Sequence, residues 1–162
     1  MKTEAQIRAA IAAKITAFDA AARVHKRVRY PMQNRLDEWV ALFVEASSTT
    51  MNGYMVRRMR RFPEMVGTPG RLRSLTHDYE IRFLYGLVDN ETDSLASEEI
   101  AQGKIEGLAA SFETDAQIGL GASVRHEGLE LPNDFEDVVI GDWLAHRALL
   151  RLRVKAMNVN CP

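Results

Sequence analysis

HDYEIRFLYGL, residues 77–87, alternates without a break: Tyr79, Ile81, Phe83 and Tyr85 point one way, Asp78, Glu80 and Arg82 the other. A period of two over this length marks a strand with one face in a core. A sheet therefore stands at the centre of the fold. WLAHRALLRLRV (143–154) reads the same way, with Leu144, Ala148, Leu150, Leu152 and Val154 alternating with Ala145, Arg147, Arg151 and Arg153. RVHKRVRY (23–30) sets Val24, Val28 and Tyr30 against Arg23, His25, Arg27 and Arg29; Lys26 is the misfit, and Pro31 ends the strand. Residues 54–62 also read as a strand, more weakly, because Met55 and Met59 break the alternation.

Helices fill the intervals. Ile7, Ile11, Ile15 and Phe18 form one helical face over residues 3–18, and Thr3 with Gln6 fits a capping box. Leu36, Trp39, Val40, Phe43 and Val44 follow the i, i+3, i+4 pattern over 34–47. Asp93 or Ser94 caps a third helix reaching about residue 113, with Ala101, Ile105, Leu108 and Phe112 as its buried stripe. Gly103 and Gly107 inside it each cost roughly 1 kcal/mol relative to Ala, which predicts close packing at both. PEMVGTPGR (63–71) is expected to be a loop, and 119–137 an irregular stretch holding one short strand. This order predicts an α+β fold in a single domain over 1–162, with a mixed or antiparallel β-sheet packed against two to three α-helices.

The chain has 162 residues, enough to bury about two-thirds of its unfolded surface. No apolar run approaches the roughly 20 residues that span a bilayer, so no membrane partner is expected. The start, MKTEAQIRAA, carries an early Glu and does not read as a signal peptide. One cysteine, Cys161, rules out an internal disulfide, which points to folding in a cytoplasm.

No catalytic or metal motif emerges. His25, His77, His126 and His146 are never four apart, and RHEGLE (125–130) lacks the second His of a zinc-protease helix. GLGAS (119–123) lacks both the Lys-Ser/Thr of a phosphate loop and the centred Ser of a nucleophile elbow. The neighbouring carboxylates Glu98/Glu99 and Glu136/Asp137 are adjacent rather than facing. No cofactor and no catalytic residue is expected.

Charge is the informative feature. The net charge is −1, yet bases gather in 23–29, 57–61, 71–73 and 147–155, and acids in 89–99 and 127–137. A nucleic-acid partner favours a net basic field. Segregated signs in a neutral chain favour a surface that complements another copy of itself. The candidate interface residues are Arg57, Arg58, Arg60, Arg61, Arg71 and Arg73 against Asp89, Glu91, Asp93, Glu136 and Asp137.

The order of elements resembles that of the tail-terminator (tail-completion, head–tail joining) proteins of tailed bacteriophages. The likeness rests on the N-terminal helix, the RVHKRVRY strand, the Trp39-bearing helix RLDEWVALF and the arginine-rich strand after MNGY. HDYEIRFLYGL, DNETDS leading into a long helix that ends near FE (112–113), and the final HRALLRLRV complete it. The region 119–142, with few strand signals, departs from the pattern. The resemblance implies a non-catalytic homo-oligomer, a hexameric ring on the tail tube that stops its polymerisation and meets a head-completion or neck protein. It implies a place in the virion after assembly in the host cytoplasm, with genome DNA passing through the lumen unread. Another neck or head-completion adaptor is the alternative within that biology. A nucleic-acid-binding module using the 57–61 arginines, or a small enzyme, are the alternatives outside it.

Overall fold

The computed structural model describes residues 1–27, 35–44, 50–65, 72–87, 93–131 and 135–157. Within them the chain runs α1 (Glu4–Phe18), β1 (Arg23–Lys26), α2 (Leu36–Phe43), β2 (Asn52–Met65), β3 (Leu72–Gly86), α3 (Asp93–Glu113), β4 (Val124–Glu130), β5 (Glu136–Ile140) and β6 (Trp143–Met157). The fold is α+β, a six-stranded mixed sheet with three helices. Its order is β1-β2-β3-β6-β4, with β5 also on β6. Only β1 and β2 pair in parallel, which requires the crossover through α2.

β3 lies between β2 and β6 and settles which side chains face which way. Tyr79, Ile81 and Phe83 are buried on the side that carries α1 and α3. There they meet Ile7, Ile11 and Ile15 of α1, Ala101, Ile105, Leu108 and Phe112 of α3, and Ala148, Leu150, Leu152 and Val154 of β6. The Thr3 capping box is present, with the Gln6 amide donating to Thr3 Oγ1 at 3.3 Å and the Thr3 amide to Gln6 Oε1 at 2.9 Å.

The opposite face is covered at one end only. Trp39, Leu42 and Phe43 of α2 pack on Met51, Met55, Leu84 and Ala145. Arg82 marks the limit of that cover, its guanidinium 5.1 Å from the Trp39 ring. Residues 53–56 of β2 are thus buried on both sides, which explains why YMV is an unbroken apolar run and why arginines begin where the cover stops.

Several expectations need correction. Pro63, Glu64 and Met65 belong to β2 and Leu72 begins β3, so the loop expected over 63–71 is shorter; residues 66–71 lie outside the described residues. The helix expected over 34–47 ends at Phe43, and Val44 bridges to Met51 instead. The strand expected over 23–30 is described to Lys26, and 28–30 lie outside. In β6, Ala145 is buried under α2 and Leu144 is exposed, the reverse of the expected burial, because at this end α2 covers the face that Ala145 occupies.

The largest correction concerns 119–137, which holds β4 and the start of β5. These strands share one edge of β6: Val124 faces Ala156, Glu130 faces Arg151, Glu136 faces Arg147 and Ile140 faces Trp143. They are one edge interrupted twice, first by a bulge at Gly128 (φ 98°), then by a change of register on β6 between Glu130 and Glu136. The interruptions spoil the alternation by which a strand is recognised.

Gly107 is close-packed as expected, since a Cβ there would lie 2.9 Å from the Phe18 ring, but around Gly103 there is open space. Gly53 is tighter still: a Cβ would lie 2.6 Å from Phe43 and 2.8 Å from the Arg23 carbonyl. Gly103→Ala is expected to raise stability by up to about 1 kcal/mol. Gly53→Ala is expected to lower it by about 1–3 kcal/mol through overpacking. Urea unfolding of the two variants checks both signs.

Candidate functional site

The two lateral edges of the sheet carry opposite charge. β1 covers β2 only from Gly53 to Val56, and the Arg27 amide adds one bond to the Val56 carbonyl at 3.1 Å. Beyond Val56, no strand among the described residues pairs with the outer side of β2. This side of the sheet bears Arg23, Lys26 and Arg27 on and beside β1, then Arg57, Arg58, Arg60 and Arg61. The other edge, β4 and β5, bears exposed Glu127, Glu130, Glu136 and Asp137, with Asp142 in the turn to β6; Arg125 is the one base there.

The 57–61 arginines do not act as one block. A bulge at Met59 places Arg57 opposite Glu80, Arg58 opposite Tyr79, Arg60 opposite Asp78 and Arg61 opposite His77. Arg58 and Arg61 therefore stand on the helix side of the sheet, Arg57 and Arg60 on the other. On that other side the register lays out rows across the strands: Arg57, Glu80, Arg151, Glu130, and Arg60, Asp78, Arg153. Arg153 grips Asp78 with two bonds, at 2.8 and 3.4 Å, and lies 3.9 Å from Glu127. Its pKa is raised, first by the hydrogen bond to Asp78 and then by that carboxylate's charge. Charges segregated along the chain are thus separated between edges, while on this face they interleave. The rows border a trough of about 720 Å³ at the end of the sheet that α2 leaves open.

Of the other candidate residues, Glu136 pairs with Arg147 and Asp137 with His146. Arg73 lies in β3 and Asp93 begins α3, while Arg71, Asp89 and Glu91 lie outside the described residues.

One constellation was hidden from sequence reasoning. Ser97 Oγ lies 2.9 Å from His146 Nε2, and His146 Nδ1 lies 2.6 Å from Asp137 Oδ1. With Nδ1–H donating to the carboxylate, Nε2 accepts from the serine hydroxyl, the connectivity of a nucleophilic triad. The exposure is inside out, however. Ser97 and His146 are each 3% exposed, and the Asp137 side chain is 60% exposed. A nucleophile must meet its substrate, and here the acid meets solvent while the serine is sealed between α3 and the sheet. The chain clamps the start of α3 to β6 and fixes Asp137 on the acidic edge. Phe135 stacks on the imidazole at 5.4 Å. Asp137 and His146 come from the β5–β6 hairpin, but Ser97 lies 49 residues before His146 on α3, and no local spacing announces the three together.

The remaining histidines are structural. His126 Nε2 donates to the Asp115 carbonyl at 2.9 Å and Nδ1 accepts from the Gly128 amide at 3.0 Å, holding the β4 bulge. His25 meets the Leu42 carbonyl at 2.5 Å, next to Arg23, which donates to the Ala41 and Val44 carbonyls. His77 is 2% exposed, and neither ring nitrogen has a hydrogen-bond partner among the described residues. Among the described residues no group of three His, Cys, Asp or Glu is placed to hold a metal ion.

Compared with known proteins, the chain matches no family model and no curated sequence.

Removing the clamp with His146→Ala is expected to lower stability by about 1–3 kcal/mol, since the buried Ser97–His146 hydrogen bond and the His146–Asp137 contact are lost. A fluorophosphonate probe is expected to leave Ser97 unlabelled, read by intact mass; rapid stoichiometric labelling would show an open nucleophile instead. Burial is the main cause that lowers the His77 pKa, Arg58 and then Arg61 add to it, and Glu4 opposes it. The unfolded chain therefore takes up this proton first, and stability falls as pH drops below about 6.5. His77→Phe is expected to lessen that fall, giving a higher melting temperature than the parent at pH about 5.

Proposed function

We propose that this protein is a tail terminator of a tailed phage or phage-like particle, built as a ring of identical copies joined head to tail. In this reading the basic edge of one copy meets the acidic edge of the next. The ring caps the tail tube, stops its polymerisation and offers the surface that joins tail to head. The observation that carries the reading is the opposite charge of the two lateral edges of the described sheet. A contact between unlike patches on identical subunits leaves a free patch at each end of the assembly until rotation closes it into a ring. An isologous dimer would instead bring like charges together. The order of elements, from the capped N-terminal helix to the long basic last strand, supports the assignment to tail terminators in particular.

The nucleic-acid reading is less favoured. Two of the four clustered arginines stand in rows with Glu80 and Asp78, and the net charge is −1. The DNA in the lumen of such a ring passes without being read. Another neck adaptor would use the same edges and differ in the protein it binds.

Native mass spectrometry at low salt is expected to show a closed assembly, a hexamer of six times 18.2 kDa, about 109 kDa. Raising salt to roughly 1 M, where the Debye length is about 3 Å, is expected to shift it toward monomer. A monomer at every concentration and salt, with and without tail tubes, would refute the proposal. Capture of a neck protein but not of the tube protein would turn it toward the adaptor.

A further inference from the structure

The trough at the open end of the sheet holds carboxylates that make no ion pair among the described residues. Its lining sets Asp78, Glu80, Glu113, Glu127 and Glu130 against Arg60, Arg151 and Arg153, and Glu80 is matched by Arg82 at 3.6 Å. Arg153 is committed to Asp78 and reaches Glu127 only at 3.9 Å. Glu113 and Glu130 make no ion pair among the described residues. Across the sheet, Arg58 and Arg61 are exposed and likewise make none, and beside them Met59 and Phe62 are 49% and 44% exposed.

The two halves cannot meet within one molecule. Arg58 and, past the Met59 bulge, Arg61 stand on the helix side of β2, opposite Tyr79 and His77, whereas Glu127 and Glu130 lie on β4, with β3 and β6 between. Only another copy can bring them together. We propose that the trough seats the Arg57–Phe62 segment of the next copy, its guanidiniums forking onto Glu113, Glu127 and Glu130. The proposal rests on the head-to-tail reading and assigns it a socket and a plug. The charges complement, the volume takes several side chains, and Met59 and Phe62 are covered in the same step. It also gives the arginine cluster a use that solvation alone does not: the same segment both lines its own trough, through Met59 and Arg60, and enters its neighbour's.

The test uses a fluorescent peptide of residues 54–63, YMVRRMRRFP, and the full-length chain carrying Arg58→Glu and Arg61→Glu, whose own segment cannot fill a neighbour's trough. Fluorescence anisotropy is expected to show saturable one-to-one binding. Adding Glu127→Gln and Glu130→Gln to the chain, or replacing the arginines matching Arg58 and Arg61 by Ala in the peptide, is expected to weaken it at least tenfold. The glutamine variants must keep the parent's circular dichroism and melting temperature; if they do not, Glu113→Gln, at the exposed end of α3, takes their place with the same expected direction. No binding, or binding indifferent to these carboxylates, overturns the proposal. If that happens while the unaltered chain still forms a ring, the ring stands and closes by other contacts. If the peptide binds as expected but the chain is always monomeric, the ring falls and the trough stands as an arginine-peptide site.

Discussion

The pairing of β3 with β2 on one side and β6 on the other is the constraint on which everything else rests. A slip of one residue would turn Tyr79, Ile81 and Phe83 to the open face and bury Asp78, Glu80 and Arg82 under the helices. The burial of three carboxylate or guanidinium groups against α1 and α3 is far costlier than any gain in pairing. The register is therefore held by the core, and the core in turn dictates where the charges go. Arg57 and Arg60 face Glu80 and Asp78 because Tyr79 and Ile81 face α1 and α3.

From that register follows the division of labour across the sheet. The middle is covered on both faces near α2 and on one face elsewhere, so cross-strand ion pairs such as Arg153–Asp78 occupy the uncovered part. An open strand edge invites pairing with any other edge, and proteins guard against this with charge and bulges. This sheet uses both: bulges at Met59 and Gly128, bases on one side and acids on the other. Charges of one sign on each edge repel the same edge of another copy and attract the opposite one. The device that prevents promiscuous edge pairing also selects a partner.

Much of this was legible in the residues themselves. Ile7, Ile11 and Ile15, the Thr3–Gln6 cap, Trp39 with Phe43, and the alternation of 77–85 each reported their own environment, because one-sided burial leaves a period in the chain. The failures share a cause. Residues 54–56 are buried on both sides, and the β4–β5 edge is broken by the Gly128 bulge and by a register change between Glu130 and Glu136, so neither shows a clean period. The Ser97–His146–Asp137 clamp ties the β5–β6 hairpin to α3, and no local pattern can reveal the contact of His146 with a serine 49 residues earlier. Charge clusters were visible as segments, but whether a segment becomes an edge or a row within a face depends on register, which only the fold supplies.

The account stands or falls on which edges meet. Two full-length chains, both carrying Cys161→Ser, one with Arg61→Cys and the other with Glu130→Cys, are mixed and oxidised mildly, and the products are identified by mass. The account predicts disulfides between unlike chains, formed faster than either like pair and slowed by salt. Arg61→Cys chains joining one another as readily, or no crosslink at concentrations where the protein is assembled, would contradict it.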